Sequence, residues 1–240
     1  MPARLRALIP AAGRGSRAGL PYPKTLHPVR GVPILGRLLD LLAPYDAEPV
    51  VIVSPEGLAP IAEFLRTSGR TAELIVQPEP RGMGDAVLRF DGAAAADEAE
   101  DILLVWGDIP LISPETIATA VTAHRAGDAA ITFPTRHVER AYTVVSRDAQ
   151  GNVTDLTETR ESGAVPGPGE REIGLFVFRR DTVFPLLHEH PGVGRSTGEH
   201  GFLHVVGHLA RAGATVAALP VATEDDLVSL NALADLEGID

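Results

Sequence analysis

Short apolar runs alternate along the first half of the chain with longer segments in which apolar residues recur every three or four positions. The short runs indicate buried strands, and the periodic segments indicate helices with one apolar face. The predicted strands cover residues 5–10, 49–53, 74–77, 102–106 and 129–134, and the predicted helices cover residues 34–42, 61–68, 85–96 and 117–125. This alternation predicts an α/β fold of Rossmann-like type, a mostly parallel twisted sheet with helices on both faces.

The pattern changes after residue 134, where strand-like runs follow one another without helices between them. Strands are predicted at residues 142–146, 152–157 and 172–178, with a hairpin loop at 148–151 and a surface loop rich in Pro and Gly at 162–169. A helix over 202–211, a strand over 215–220 and a last helix over 227–236 complete the prediction. We therefore expect a small antiparallel excursion within one domain that covers residues 1–240.

The composition argues against several classes of function. The 240 residues carry a net charge of −11, which disfavours nucleic-acid binding because that needs a basic surface. No apolar stretch approaches the roughly 20 residues that span a bilayer, and the first apolar run is too short for a signal peptide. The absence of cysteine excludes disulfides and thiolate metal sites. We expect a cytoplasmic protein with no nucleic-acid or membrane partner, and the sequence leaves open whether it forms a homo-oligomer.

A glycine-rich loop follows the first predicted strand and is the first candidate for ligand binding. Its small residues allow the backbone to approach an anion, to which Arg14 and Arg17 would add charge. Residues 13–18 also satisfy the G-x-G-x-x-G/A pattern of dinucleotide-binding folds, but that pattern must open a helix. Pro21 and Pro23 prevent a helix from continuing there, which weakens the alternative of a nicotinamide-dependent oxidoreductase. The P-loop pattern does not occur.

Several segments taken together resemble a known family. Residues 10–17 (PAAGRGSR), followed by Pro23 and Lys24, are similar to the signature loop of the sugar-phosphate nucleotidylyltransferases. Residues 77–86 (QPEPRGMGDA) resemble the base-recognition segment of that family, and residues 106–111 (WGDIPL) resemble the strand-end motif that carries its metal-binding aspartate. Weaker markers lie at 198–199 and 230–231. Within the family, the chain most resembles the uridylyltransferase domains of bifunctional N-acetylglucosamine-1-phosphate enzymes, over nearly its whole length.

The resemblance implies an enzyme with the fold of nucleotide-diphospho-sugar transferases, in which residues up to about 134 hold the nucleotide and the later residues hold the acceptor. Such an enzyme moves an NMP group from an NTP to a small phosphorylated acceptor and releases pyrophosphate, assisted by Mg²⁺. Because the acceptor phosphate is already a nucleophile, positioning and charge neutralisation dominate the catalysis. The implied process is sugar-nucleotide biosynthesis.

The same resemblance implies a role for each matching residue. Asp108 and Asn231 are the expected magnesium ligands, and Arg17, Lys24 and Asp108 form the expected catalytic set. The expected nucleotide-binding residues are Ala11, Ala12, Gly13, Arg14, Gly15, Ser16, Gln77, Gly82 and Met83. The expected acceptor-binding residues are Tyr142, Glu158, Glu172 and Glu199.

Two positions on the acceptor side depart from the family pattern. Glu172 falls where the relatives carry an asparagine that touches the sugar, and the Tyr-Gly-Arg element survives only as Tyr142 followed by Thr143 and Val144. We therefore expect the chemistry to be retained with an acceptor other than N-acetylglucosamine-1-phosphate. That acceptor would be another sugar phosphate, or a small non-sugar phosphate or phosphonate, and the favoured nucleotides are UTP and CTP.

Simpler interpretations remain open for the whole chain and for single residues. A nucleotide- or sugar-binding regulatory module without turnover is one alternative, although binding alone would not need the metal pair. Asp108 could cap a turn, Asn231 could be a polar residue at a helix start, and Met83 could be a core residue. The charges at Lys24, Glu158 and Glu199 could be exposed surface groups. His200, His204 and His208 lie four apart and would share one helix face, a spacing that suits zinc but is more typical of packing or solvent exposure.

Overall fold

The structure is a computed structural model that describes residues 4–13, 19–94, 96–236 and 239, with Ser162 described by its backbone alone. The strands are β1 (Leu5–Pro10), β2 (Pro28–Val29), β3 (Val32–Pro33), β4 (Val50–Val53), β5 (Glu73–Val76), β6 (Asp101–Val105), β7 (Ile131–Ala141), β8 (Thr143–Arg147), β9 (Val153–Glu158), β10 (Gly167–Glu172), β11 (Leu175–Arg179) and β12 (Val216–Leu219). The α-helices are α1 (Ile34–Leu42), α2 (Pro55–Ser68), α3 (Met83–Leu88), α4 (Pro114–Ala126), α5 (Thr159–Ser162), α6 (Arg180–Glu189) and α7 (Val205–Arg211).

One eight-stranded sheet organises the described part of the chain, in the order β10-β7-β11-β6-β1-β4-β5, with β12 beside β7. β1 pairs in parallel with β4 and β6, and β4 pairs in parallel with β5. β11 lies antiparallel between β6 and β7, and β10 is antiparallel to β7. The predicted mostly parallel sheet with a small antiparallel part is therefore confirmed. The β8–β9 hairpin turns at the predicted residues, 148–151.

Each face of the sheet carries its own core. β1 shows how the sequence produces this arrangement, because Leu8 packs into one core while Ala7 and Ile9 pack into the other, and all three are fully buried. Apolar residues of α6 and α7 cover the first face, and those of α1 and α4 cover the second. Burial on both faces explains why the strand sequences are continuously apolar. Among the helices described, none has the length and apolar character needed to cross a bilayer.

Several helices differ from their predicted extents: α4 begins at Pro114, three residues before its predicted start, and α7 begins at Val205, three residues after its predicted start. α2 begins at Pro55, six residues before the predicted start, because the Ser54 side chain caps it by accepting a hydrogen bond from the Gly57 amide at 3.0 Å. The helix predicted over 85–96 is shorter, since α3 ends at Leu88 and 3-10 turns follow. α6 was not predicted. It lies on the core through the buried side chains of Val183, Phe184 and Leu187.

The helix predicted over 227–236 is wrong. That region contains two 3-10 turns, Asp225–Leu227 and Leu233–Leu236, joined by a segment without regular structure. Within this segment the Leu230 amide donates to the Asp108 carbonyl oxygen at 2.8 Å. Hydrogen bonds to other parts of the chain thus replace the local bonds of a helix, and they hold the segment against the end of β6.

The strand predicted over 172–178 is in fact two strands. Gly174 separates them with φ of +78°, a left-handed conformation that glycine adopts without a steric penalty. A Cβ at this position would lie 2.7 Å from the Trp106 ring, so the close packing also requires glycine. The pairing changes there: β10 pairs with β7, whereas β11 lies between β7 and β6 and pairs with both. β10 also begins inside the predicted surface loop, at Gly167.

Asp226 provides a test of how the region after β12 is held in place. Its carboxylate is 1% exposed and accepts hydrogen bonds from the amides of Ser113 and Thr223, both at 2.7 Å, and from the hydroxyls of Thr116 and Thr223. We expect Asp226→Ala to lower the free energy of unfolding by about 3 kcal/mol, because buried donors lose a charged acceptor. Urea unfolding followed by the fluorescence of Trp106 measures this. The exposed neighbour Asp225 is the control, and Asp225→Ala should change stability by less than about 0.5 kcal/mol.

Candidate active site

The candidate site lies where β1 and β6 end side by side. The Gly107 amide donates to the Pro10 carbonyl oxygen at 3.1 Å, and the Ala11 amide donates to the Ile52 carbonyl oxygen at 2.7 Å. A Cβ at Gly107 would lie 2.7 Å from the Pro10 oxygen, so no other residue fits without moving the backbone. The loop after β1 and the acidic residue after β6 therefore meet at the carboxyl edge of the sheet, where open α/β sheets bind ligands.

Lys24 and Asp108 form the centre of this site. Lys24 lies in a 3-10 turn, Lys24–Leu26, and its Nζ donates a short hydrogen bond to Asp108 Oδ2. Lys24 also donates to the Leu230 carbonyl oxygen at 3.3 Å. The two side chains are only 21% and 15% exposed. Lys24 is therefore not a free surface charge, and Asp108 does more than cap a turn.

The residues around Asp108 fit a magnesium ion. Asp108 Oδ1 is buried and has no hydrogen-bond partner, which leaves a negative oxygen available for a cation. Asn231 follows Leu230 directly, and its amide group donates to Ser229 Oγ at 3.0 Å while its amide oxygen remains a potential ligand. Magnesium prefers few protein oxygen ligands, with phosphates and waters completing the shell. No cluster of three or more His, Asp or Glu side chains suited to a metal occurs among the described residues.

Gln77 and Gly82 are in contact, and Met83 follows Gly82 directly. Their predicted contacts with the nucleotide stay predictions. The Gln77 amide group donates to the Gly82 carbonyl oxygen at 3.1 Å and to Asp85 Oδ2 at 2.7 Å, so the Gln77 amide oxygen is fixed in orientation. Met83 packs against the first core, although it is only partly buried. A small cleft next to them is lined by Ala12, Ser54, Pro55, Glu56, Gln77, Pro78 and Pro80.

The segment around His200 packs against the loop that contains Gly82 and Gly84. The Gly84 amide donates to the His200 carbonyl oxygen at 2.9 Å, and a Cβ at Gly82 would lie 2.4 Å from that oxygen. Glu199 lies beside Gly82 and is exposed. The structure thus places Glu199 next to the predicted nucleotide loop, while its predicted contact with the acceptor stays a prediction.

Tyr142, Arg171 and Glu172 form a packed group on the other side of Asp108. The Arg171 guanidinium lies over the Tyr142 ring, 3.9 Å from its centroid, and donates to the Tyr142 hydroxyl. Tyr142 is 38% exposed, but its hydroxyl lies among Arg171, Ser229 and Glu172. Removal of this hydroxyl from water, and then the Glu172 charge, raise the pKa of Tyr142 to about 12. The phenol is therefore a neutral hydrogen-bonding group at physiological pH.

Glu172 is fully buried beneath this group. Its carboxyl accepts hydrogen bonds from the Thr143 hydroxyl at 3.0 Å and from the Gly174 amide. As placed, it has no surface to offer an acceptor and acts on the site through its neighbours. Glu158 lies opposite Thr143 in the β8–β9 hairpin and pairs with Arg160. Predicted acceptor contacts from Glu172 and Glu158 stay predictions.

The predicted helical stripe of His200, His204 and His208 is wrong in its geometry. α7 begins at Val205, so His200 lies outside the helix. Instead, the His208 ring stacks on His190 with centroids 4.4 Å apart, and His204 Nε2 lies 2.5 Å from the His190 carbonyl oxygen. Burial lowers the pKa of His200, His204 and His208. Of the three rings, His200 lies against the segment after Gly82, since a Cβ at Gly84 would lie 2.4 Å from it.

Four predicted positions lie outside the described residues, namely Arg14, Gly15, Ser16 and Arg17. Their predicted roles therefore stay predictions.

Some neighbours of the site were not predicted. Arg171, Ser229 and the Leu230 carbonyl belong to the site but were missed, because no sequence motif marks a backbone carbonyl or a side chain that holds another side chain. The proximity of residue 229 to the predicted ligand Asn231 was the one available signal.

The fold and the sequence motifs at this edge of the sheet point to the nucleotidyltransferases. The chain belongs to the MobA-like NTP transferase domain family, which matches residues 7–192. The resemblance seen in the sequence is therefore confirmed. The dehydrogenase alternative is excluded, and the described residues after the glycine loop contain a 3-10 turn in place of the helix it requires.

Relatives of known name agree with this family. The chain is 31% identical over 226 residues to the bifunctional protein GlmU of Leifsonia xyli subsp. xyli, covering 90% of this chain and 45% of that protein. It is also 31% identical over 239 residues to GlmU of an Exiguobacterium species, covering 97% of this chain and 52% of that protein. The chain thus spans about half the length of these relatives.

A solved structure of another nucleotidyltransferase shares the fold. The inositol-1-phosphate CTP transferase from T. maritima superposes with a TM-score of 0.69, covering 91% of this chain and 86% of that one. Sequence identity is 16%, so this similarity concerns the fold alone.

The two glutamates of β10 should contribute to the stability of the fold in ways that change with pH in opposite directions. Burial raises the pKa of Glu172. Its contribution to stability is therefore fully present below the pKa of the unfolded state, and it is lost as pH rises through the pKa of the folded state. For Glu170, burial alone would raise the pKa, but hydrogen bonds from Arg147 and Thr135 lower it. Its stability is present above the unfolded pKa and is lost as pH falls through the folded pKa.

We therefore expect Glu172→Gln to gain stability relative to the wild type as pH rises from about 5 to about 8, because a neutral amide avoids a buried charge. Glu170→Gln is the matched variant and should be less stable than the wild type over the same range, because it weakens the pair with Arg147. Urea unfolding at both pH values measures the difference. A loss of stability in Glu172→Gln at the higher pH would show that the carboxylate is stabilised where it lies.

Proposed function

We propose that the protein transfers an NMP group from an NTP to a small phosphorylated acceptor, with Mg²⁺ as cofactor and pyrophosphate as product. The observation that carries the proposal is the meeting of Lys24, Asp108 and the segment Leu230 to Asn231 at the carboxyl edge of the sheet. In this proposal Lys24 is the phosphate-binding cation, and Asp108 and Asn231 are the oxygen ligands of the metal. Membership of the NTP transferase family supports this assignment of roles to the residues.

The reaction proposed here is a direct displacement at phosphorus. An oxygen of the acceptor phosphate forms a bond to the α-phosphorus of the NTP, the bond from that phosphorus to the bridging oxygen breaks, and pyrophosphate leaves with the electron pair. Asp108 and Asn231 would hold the metal, which neutralises phosphate charge when bound. Lys24 would bind a phosphate as a point cation, and Arg17 would ease the departure of pyrophosphate. No proton transfer is needed, because the attacking oxygen is already anionic.

The nucleotide would lie with its base toward Gln77 and Gly82. The fixed amide oxygen of Gln77 and nearby backbone groups can pair with a pyrimidine edge. UTP or CTP is the nucleotide we favour. The inositol-1-phosphate CTP transferase, which shares the fold, shows that the architecture accommodates CTP in at least one protein.

The acceptor would lie toward Tyr142 and the β8–β9 hairpin. A sugar phosphate is the first candidate, and a small non-sugar phosphate or phosphonate is the second. N-acetylglucosamine-1-phosphate is disfavoured, because the asparagine expected at position 172 is replaced by a buried glutamate bound to Thr143 and Gly174. The polar wall of Tyr142 and Arg171 would then contact the acceptor in place of that asparagine.

A cross of nucleotides and acceptors tests the proposal. Each of the four NTPs is combined with Mg²⁺ and a panel of sugar-1-phosphates, polyol phosphates and small phosphonates, and pyrophosphate release is measured. We expect release with UTP or CTP and one class of acceptor. Binding of an NTP without release with any acceptor would instead favour a regulatory module that lacks turnover.

Asp108→Asn tests the metal assignment. The substitution keeps the shape of the side chain and removes the charge that holds the metal, so we expect turnover to fall by about a thousandfold or more. The control is Asp225→Asn at an exposed carboxylate, which should leave turnover unchanged. Turnover close to the wild-type value in Asp108→Asn would remove Asp108 from the mechanism.

Glu172→Asn tests the division between the nucleotide and acceptor sides. We expect the ratio of kcat/KM between two acceptors to change while the preference among NTPs stays constant, because Glu172 contacts Thr143 and Gly174 on the acceptor side. Glu172→Gln keeps the length of the side chain and serves as the control. A change in NTP preference would contradict the assignment.

A further inference from the structure

Lys24 is the only lysine in the chain, although Lys and Arg together number 21. It is also the cation that touches the proposed metal ligand, since its Nζ donates to Asp108 Oδ2 and to the Leu230 carbonyl oxygen. Both acceptors lie where the magnesium ion would bind. The pair is largely shielded from solvent, with side chains 21% and 15% exposed, so its charges are weakly screened.

A metal ion and Lys24 compete for the same carboxylate. A divalent cation on Asp108 would lie within a few ångströms of the ammonium group, and two cations at such a distance repel each other strongly. Asp108 Oδ1 is buried and has no hydrogen-bond partner. A buried charge without a partner is unfavourable, so the Asp108 carboxylate needs one of the two cations beside it. The site therefore has two ways to neutralise Asp108, one at each carboxylate oxygen, and repulsion between the two cations makes each oppose the other.

The phosphates of a bound NTP would resolve this competition. In the proposed function, Lys24 binds phosphate, so an NTP offers the ammonium group a new anionic partner. Once Lys24 has moved to the phosphates, Asp108 would be left to hold the metal without a competing cation. Among the described residues, the hydrogen-bond acceptors of Lys24 are Asp108 and the Leu230 carbonyl.

We propose that Lys24 is a built-in counter-ion that occupies the metal site of the nucleotide-free protein and yields it only when NTP phosphates take over the lysine. Lys24 would thus be a positioning residue for metal loading, in addition to its contact with phosphate. This inference rests on the proposed function. Lys24 would thereby determine the order in which the NTP and the metal bind.

The inference predicts opposite effects of one substitution in the two states of the protein. Lys24→Met removes the competing cation, so the affinity for Mn²⁺ in the absence of NTP should rise by about tenfold, the factor expected for loss of one competing charged hydrogen bond. The same variant lacks the phosphate contact, so the affinity for NTP together with Mn²⁺ should fall. A merely structural role for Lys24 would not produce this reversal of sign.

Mn²⁺ binding measured by electron paramagnetic resonance, with and without NTP, tests the proposal directly. Lys24→Arg is the matched control, because it keeps a cation that can pair with Asp108, and its nucleotide-free affinity for Mn²⁺ should stay close to that of the wild type. The double variant Lys24→Met with Asp108→Asn should lose the gain, which shows that the extra ion binds at Asp108 and not elsewhere on this acidic protein. Equal nucleotide-free affinity in the wild type and Lys24→Met overturns the proposal.

A second measurement uses the wild-type chain and does not depend on the folding of a variant. Reductive methylation with ¹³C-formaldehyde labels Lys24 and the terminal amine, and methylated lysine keeps its positive charge. We expect Mg²⁺ alone to leave the Lys24 methyl resonance unchanged and Mg²⁺ with NTP to shift it. A shift produced by Mg²⁺ alone would show that the metal displaces Lys24 without a nucleotide, which overturns the proposal.

The two hypotheses fail in different ways. If no NTP binds and no pyrophosphate is released with any acceptor, the proposed function is wrong. If pyrophosphate is released and the wild type also binds Mn²⁺ without NTP as tightly as Lys24→Met does, the transferase stands and only the counter-ion role of Lys24 is wrong.

Discussion

The close contact between the ends of β1 and β6 is the constraint on which the rest of the structure depends. Gly107 donates to the Pro10 carbonyl oxygen at 3.1 Å, and the space between them admits no side chain. This contact brings residues 11–13, which follow β1, and Asp108 to the same edge of the sheet. The segment after β12 then adds to this edge through the bond from Leu230 to Asp108. The site is thus assembled from three distant parts of the chain by backbone hydrogen bonds.

This edge of the sheet holds a fixed positive charge, although the protein as a whole is acidic. A chain with a net charge of −11 repels anionic ligands at long range. Lys24 is a cation held at a fixed position, and its pairing with Asp108 keeps both charges neutralised within a partly buried site. In the proposed function, this lysine would receive the NTP phosphates and leave the carboxylate to the metal. Electrostatic neutrality and readiness for a ligand are therefore achieved by the same two side chains.

The acceptor side follows a different principle. There, polar side chains are arranged in layers: Glu172 is buried and holds Thr143 and Gly174, while Arg171 packs on Tyr142 above it. Burial raises the pKa of this carboxyl and so favours its uncharged form. This layer replaces the asparagine and the Tyr-Gly-Arg element of related enzymes. The difference lies where an acceptor would be recognised, whereas the residues for phosphate and metal keep the family pattern.

The sequence by itself determined the family and the order of the early strands and helices, and it singled out Lys24 and Asp108, which lie together in the structure. These follow from local patterns: continuous apolar runs make strands buried on both faces, and motifs at strand ends hold the chemistry. It could not determine the region 227–236, where bonds from Leu230 and Asp226 to distant residues override a helical pattern, or the break at Gly174. The pairing of Lys24 with Asp108, 84 positions apart, was also beyond it. Only the tertiary structure decided these features, because each depends on contacts between groups that are far apart along the chain.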